Sequence, residues 1–167
     1  MISRKTNSFL AGIFLVLLIS TTVLAADEQL YGTWRLISYK RTVLATGETT
    51  DIFGKSPHGF LNYGRDGRVL ALVVAEGRPK PADMAKITDQ ERAELLKTMF
   101  AYGGTYTYDG KSVTHHIDIS FNENWTGTDQ VRDLKFEGSK LIISTRPAPN
   151  PADGKFQTAV LTFERVQ

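Results

Sequence analysis

The 167-residue sequence has no cysteine, which excludes a disulfide scaffold, a thiol nucleophile and thiolate metal sites. It also has little surplus charge, with 20 Lys and Arg against 18 Asp and Glu. Histidine is scarce. His115 and His116 are adjacent and would face opposite sides of a strand, and His58 is the only third, so no metal site is expected. No G-x-S-x-G elbow, P-loop or H-E-x-x-H occurs, and no catalytic residue or cofactor is assigned. What the chain does contain is 41% hydrophobic and 10% aromatic residues, which excludes a disordered or collagen-like chain.

Those apolar residues are unevenly placed. Arg4 and Lys5 make a basic start, Phe9 to Leu18 is almost unbroken apolar, and Val23-Leu24-Ala25 forms a cleavage-like site. This is the layout of a secretory signal peptide at 1–25, and it predicts export to a periplasm or the medium. The alternative is an anchor over Phe9 to Ala26, close to the roughly 20 residues that a spanning helix needs. Cleavage after Ala25 would leave one domain at 26–167 with no stable membrane anchor, its Lys and Arg reduced from 20 to 18 and so equal to its acids. An electroneutral domain lacks the basic surplus that nucleic-acid binding draws on. A domain of roughly 140 residues can be held by its core alone.

Along that domain, Leu30 to Lys40 alternates as a strand, with Trp34, Leu36 and Ser38 on one face and Arg35, Ile37 and Tyr39 on the other. His58 to Tyr63 and Arg68 to Ala75 flank an Asp66-Gly67 turn, a hairpin signal. Val69 to Val74 is apolar on both faces, which predicts cover on both sides. Thr88 and Glu91 stand in capping-box spacing and open a helix to about Phe100, whose Leu96, Met99 and Phe100 would pack on the barrel or its mouth. From Tyr102 onward the pattern is β throughout: Tyr102 to Tyr108, Lys111 to Phe121, Thr128 to Phe136, Leu141 to Thr145 and Phe156 to Arg165. Eight or nine short strands with one inserted helix predict an all-β antiparallel barrel or sandwich.

Gly32-Thr33-Trp34 opens the first strand and Arg165 closes the last. With GTWRL at 32–36, GTYTYDG at 104–110 and VTHHIDISFNENWTGTDQVR at 113–132, the chain resembles the bacterial and fungal lipocalin-like domain family of the calycin type. The resemblance implies a closed antiparallel β-barrel in which Trp34 sits at the base under Arg165. It also implies a small internal cavity for a hydrophobic or amphipathic molecule.

Strand parity adds candidates. Val113, His115, Ile117, Ile119 and Phe121 share one face, and Gln130, Arg132, Leu134 and Phe136 share one in the next strand. Taking apolar as inward places His115, Gln130 and Arg132 inside. A two-residue Asp109-Gly110 turn would pair Tyr106 with Val113 on that face. A strand bulge would exchange His115 for His116 and turn Asp118 inward. An inward arginine needs an acid, a ring of acceptors or an anionic ligand group, and no acid shares its face in the neighbouring strand. Trp125 is read as a plug or rim aromatic at the mouth. The leading expectation is an exported protein binding a small hydrophobic or amphipathic molecule, anionic ones included, through His115, Arg132, Gln130, Tyr106 and His116. The alternatives are a cofactor-independent isomerase, cyclase or hydrolase using His115 as acid or base, and a barrel without ligand.

Overall fold

Strand alternation at 58–63 and 68–74 buries Leu61, Tyr63, Val69, Ala71 and Val73 on one face, and the same period-two burial runs through most of the chain. The computed structural model describes residues 28–150 and 154–166, so the leader expected at 1–25 lies outside the described residues. Ten strands form in order: β1 Gly32–Val43, β2 Thr49–Asp51, β3 His58–Tyr63, β4 Arg68–Val74, β5 Met99–Tyr108, β6 Ser112–Ser120, β7 Asp129–Glu137, β8 Lys140–Thr145, β9 Ala148–Pro149 and β10 Phe156–Arg165. One helix, α1 Asp89–Lys97, lies between β4 and β5. Eight strands run β1-β3-β4-β5-β6-β7-β8-β10 as antiparallel neighbours, and β10 pairs back onto β1 to close the barrel. The short β2 and β9 add to the edges of β1 and β10. Closure removes the unpaired edges that an open sheet would expose.

The base is built by the first and last strands. Trp34 pairs with Arg165, whose guanidinium lies 4.3 Å from the indole centroid. The indole nitrogen donates to the Leu30 carbonyl (2.9 Å), and the ring packs on Phe136 at 6.0 Å. Arg165 itself donates to the carbonyls of Tyr31 (2.5 Å) and Gln29. The glycine of the Gly-Thr-Trp triplet has a physical reason: Gly32 has φ +118°, and a Cβ there would stand 2.9 Å from the Arg165 guanidinium.

Two bulges redirect side chains that simple alternation misassigns. In β1 the register with β10 slips between Leu36 and Ser38, so Tyr39, which simple alternation places with Arg35 on the face opposite Trp34, turns into the barrel. In β6, Asp118 is extra: Gly103 pairs with Ile119, and Gly104 pairs with Ile117. The bulge falls after the histidines, so His115 stays inside while Ile119, predicted inward, is 70% exposed. Asp118 stays outside, in an ion pair with Arg68 at 3.3 Å. Gly104 is required at this crossing, because a Cβ would meet the His116 carbonyl oxygen at 1.9 Å.

The hairpin between β5 and β6 also differs from the expectation. Asp109 accepts from the backbone nitrogens of Lys111 (2.8 Å) and Ser112 (2.6 Å), which widens the turn. Tyr108 therefore pairs with Val113, and Tyr106 with His115 rather than with Val113. The slip is two residues, so every side chain keeps its face.

The helix forms at its predicted start and does not do what was predicted of it. Thr88 and Glu91 complete a reciprocal capping box. None of the residues of α1 is buried, Leu96 is exposed, and Met99 and Phe100 belong to β5. The outer face of β4 is consequently uncovered. Leu72 pairs with the exposed Phe60, and Leu70 stands across Gly103 from Ile119, so an apolar stripe runs over the outside of β3 to β6.

Candidate functional site

Five residues along β1 from Trp34, Tyr39 opens onto a cavity of about 60 Å³ inside the barrel. That is several times the space one buried water needs. Its polar wall is Tyr39, Tyr102, His115, Arg132 and Thr145; aliphatic and aromatic side chains, Trp125 among them, make the rest. Tyr39 stands edge-on to Phe53 (5.4 Å) and Phe100 (5.8 Å), and Trp125 stands edge-on to Tyr102 (6.0 Å) and Phe121 (5.7 Å). These interlocked rings pre-form the wall, since edge-to-face pairs stabilise one arrangement.

His115 is the buried polar residue at the centre, 1% exposed. Its Nε2 lies 2.8 Å from the Tyr63 hydroxyl and its Nδ1 lies 2.9 Å from the Tyr102 hydroxyl. Burial, reinforced by the charges of Arg132 and His116, pushes the His115 pKa down to about 3. The imidazole is therefore neutral at physiological pH. Burial likewise pushes Tyr102 up to about 12 against the opposing pull of Arg132, and raises Tyr63 well above the usual phenol range. Both phenols stay protonated.

Arg132 reaches this group from β7. Its Nη1 donates to the Val131 carbonyl (2.9 Å) and its Nη2 to the Gln130 side-chain oxygen (3.1 Å). Gln130 in turn donates to the Thr128 hydroxyl (3.0 Å), which fixes the orientation of its amide. A guanidinium has five N–H groups. Two are engaged by protein acceptors, and among the described residues no carboxylate forms an ion pair with Arg132. Among the described residues it is also the one charged residue lining the cavity.

The structure thus brings His115 and Arg132 to one cavity and sets Gln130 behind Arg132. It does not bring Tyr106 or His116 there. Tyr106 donates its hydroxyl to the Gly64 carbonyl (2.9 Å) and packs its ring edge-on to Tyr63 at 4.9 Å, below the histidine. His116 is on the outer face, 2.7 Å from the Asp129 carboxylate and 3.3 Å from the Thr107 hydroxyl, because strand alternation sends it opposite to His115. Sequence reasoning missed Tyr39, Tyr63 and Tyr102. The parity that placed Tyr106 inside extends to Tyr102, and Tyr63 alternates with Leu61, so both signals were present. Tyr39 carried none, since only the β1 bulge turns it in.

A closed, eight-stranded up-and-down barrel with an arginine-capped tryptophan at its base and a small mixed cavity inside defines a lipocalin-type barrel. The chain belongs to the lipocalin-like domain family, whose model matches residues 31–166. A 4'-hydroxy-3'-methoxypropiophenone carrier protein of Aspergillus oryzae is 28% identical over 106 residues, with 58% of this chain and 95% of the relative covered. The crystal structure of a lipocalin-like protein from Bacteroides uniformis is similar at 14% identity and a TM-score of 0.44, over 83% of this chain and 99% of that one.

Proposed function

We propose that this protein is a carrier that holds a small aromatic molecule bearing a polar oxygen inside its barrel. The observation that carries the reading is the cavity itself: rigid aromatic walls with one arginine that keeps unengaged donors and has no acid partner among the described residues. Aromatic rings supply apolar and edge-to-face contact, and a guanidinium supplies a directed donor to an oxygen atom. The Aspergillus oryzae relative, by its name a carrier of a phenolic aromatic ketone, supports the same ligand class.

Catalysis by His115 is the weaker reading. Both its ring nitrogens are occupied by phenols and its proton affinity is low, so it has no free nitrogen with which to act as acid or base on a bound molecule. Export rests on the leader-like sequence at 1–25, and the N-terminal residue of protein recovered from its host tests it.

The test of binding is fluorescence titration with 4'-hydroxy-3'-methoxypropiophenone. Trp125 lines the cavity whereas Trp34 is sealed at the base, so saturable quenching that disappears in Trp125→Phe is expected. Absence of saturable quenching by this ketone and by simpler substituted benzenes would remove the proposal.

A further inference from the structure

The hydrogen-bond chain Tyr63–His115–Tyr102 has a direction, and the direction determines what the cavity offers a ligand. Tyr63 is 1% exposed, and among the described residues the one hydrogen bond its hydroxyl makes is to His115 Nε2. Were Nε2 the protonated nitrogen, the Tyr63 proton would be left without an acceptor in a fully enclosed place, at a cost of about 1–3 kcal/mol. With Nε2 as the acceptor, Tyr63 donates and is satisfied. A neutral imidazole carries one proton, so it resides on Nδ1 and is donated to the Tyr102 oxygen. Tyr102 lines the cavity, so its own proton is the one member of the chain with somewhere open to go.

We infer that Tyr102 Oη–H and the guanidinium of Arg132 together form a two-donor cradle for an anionic oxygen, so that this carrier binds phenols and enols preferentially as their phenolate or enolate. The inference rests on the small-aromatic reading above and adds the ionisation state of the ligand. His115 and Tyr63 act as positioning residues, since neither needs to touch the ligand: Tyr63 holds the tautomer and His115 turns the Tyr102 proton outward.

The remaining surroundings agree. Arg132 is close enough for its positive charge to act on Tyr39, Tyr63, Tyr102 and His115, so its field covers the cavity. The other titratable groups facing the cavity are Tyr39 from β1, Tyr102 from β5 and His115 from β6, all neutral at physiological pH; β3, β4, β8 and β10 contribute no ionisable group to the lining. An anion that binds there meets one positive charge and no negative one. Its lost proton passes to solvent, and no covalent step is involved.

The probe is 4-nitrophenol, whose phenolate absorbs separately from the phenol, with nitrobenzene as the comparison that lacks the ionisable hydroxyl. An opposite charge a few ångströms away lowers an acid's pKa by about 1–3 units. The bound nitrophenol is therefore expected to titrate at least about one unit below the free compound, with at least about tenfold tighter binding of the phenolate than of the phenol. Tyr102→Phe should reduce the shift, Arg132→Gln should reduce it further, and the outer-face control His116→Gln should leave it unchanged. Because Tyr102→Phe strands a buried Nδ1–H, nitrogen NMR of the unaltered protein supplies a measurement that needs no variant: His115 Nδ1 is expected to carry the proton and Nε2 to be bare.

A protonated Nε2 overturns the inference. So does an unshifted nitrophenol while nitrobenzene still binds, which leaves the carrier reading standing. If neither compound binds, both fall together.

Discussion

Two arginines mark two regions of this barrel, the base and the cavity, and their surroundings differ. Arg165 at the base lies over Trp34, donates to the carbonyls of Tyr31 and Gln29, and is boxed in by the absence of a side chain at Gly32. Arg132 in the cavity donates to one backbone carbonyl and one amide oxygen and keeps three of its five N–H groups for a ligand or water. The first is matched to partners within the chain, so it serves stability. The second has a charge that no described acid balances, and a charge left without an acid inside a fold is a cost to stability. An arginine turned into the fold is not by itself a site; the inventory of its acceptors decides.

The largest effect is expected at the base. Trp34→Ala removes a fully buried indole and should cost about 3–5 kcal/mol, read as a lower urea midpoint at unchanged slope. Next is the pH response of the cavity. His115 has its ordinary pKa near 6.5 when unfolded and about 3 when folded, so the unfolded chain takes up a proton that the folded chain refuses. The stability this neutral histidine contributes is complete above pH 6.5 and is lost as pH falls toward 3, amounting to a few kcal/mol at about 1.4 kcal/mol per unit. Urea midpoints measured from pH 7 to pH 5 should fall in the parent protein and stay flatter in His115→Gln, before carboxylates begin to titrate. Equal slopes would contradict a buried neutral imidazole.

The sharpest split between the arginines comes third. Arg165→Ala should cost about 2 kcal/mol, from the lost contact over the indole and two carbonyls left unpaired, and Arg165→Lys should recover little because an ammonium lacks the flat face and the fork. Arg132→Ala should leave stability within about 1 kcal/mol or raise it, yet weaken phenolate binding about tenfold or more. Calorimetry of ligand binding beside a melting curve on each variant separates the two. Equal losses of stability at both positions would break the comparison. The smallest effect is expected on the outside of the barrel, where Ile119→Thr should change stability by less than about 0.5 kcal/mol.

Much of this could be read without coordinates. Most of the strand segments, the Asp66-Gly67 turn, with Gly67 at φ +79°, and the Thr88–Glu91 cap each follow from local chemistry, and the inward placement of His115 and Arg132 follows from period-two alternation. Alternation fails where the strand itself is irregular. Nothing in Leu36-Ile37-Ser38 announces the bulge that brings Tyr39 inward, and nothing in Ile117-Asp118-Ile119 announces the one that turns Ile119 out. The helix shows a different limit. Its capping box is a local feature and formed as expected, whereas which surface it would cover depended on where the long connection from β4 places it, and α1 leaves Leu70 and Leu72 open.

The sequence alone therefore carries the periodic part: a chain of short strands suited to an antiparallel barrel or sandwich, with closure and the pairing of Trp34 with Arg165 implied by its resemblance to the lipocalin-like family. Local propensity and alternation are properties of neighbours in sequence, so sequence suffices for them. Only the tertiary structure decided that Tyr63 and Tyr102, from β3 and β5, meet on the two nitrogens of one histidine from β6, and that Arg132 arrives there without an acid. Those facts are set by barrel closure, register and bulges, which bring together residues far apart in the chain.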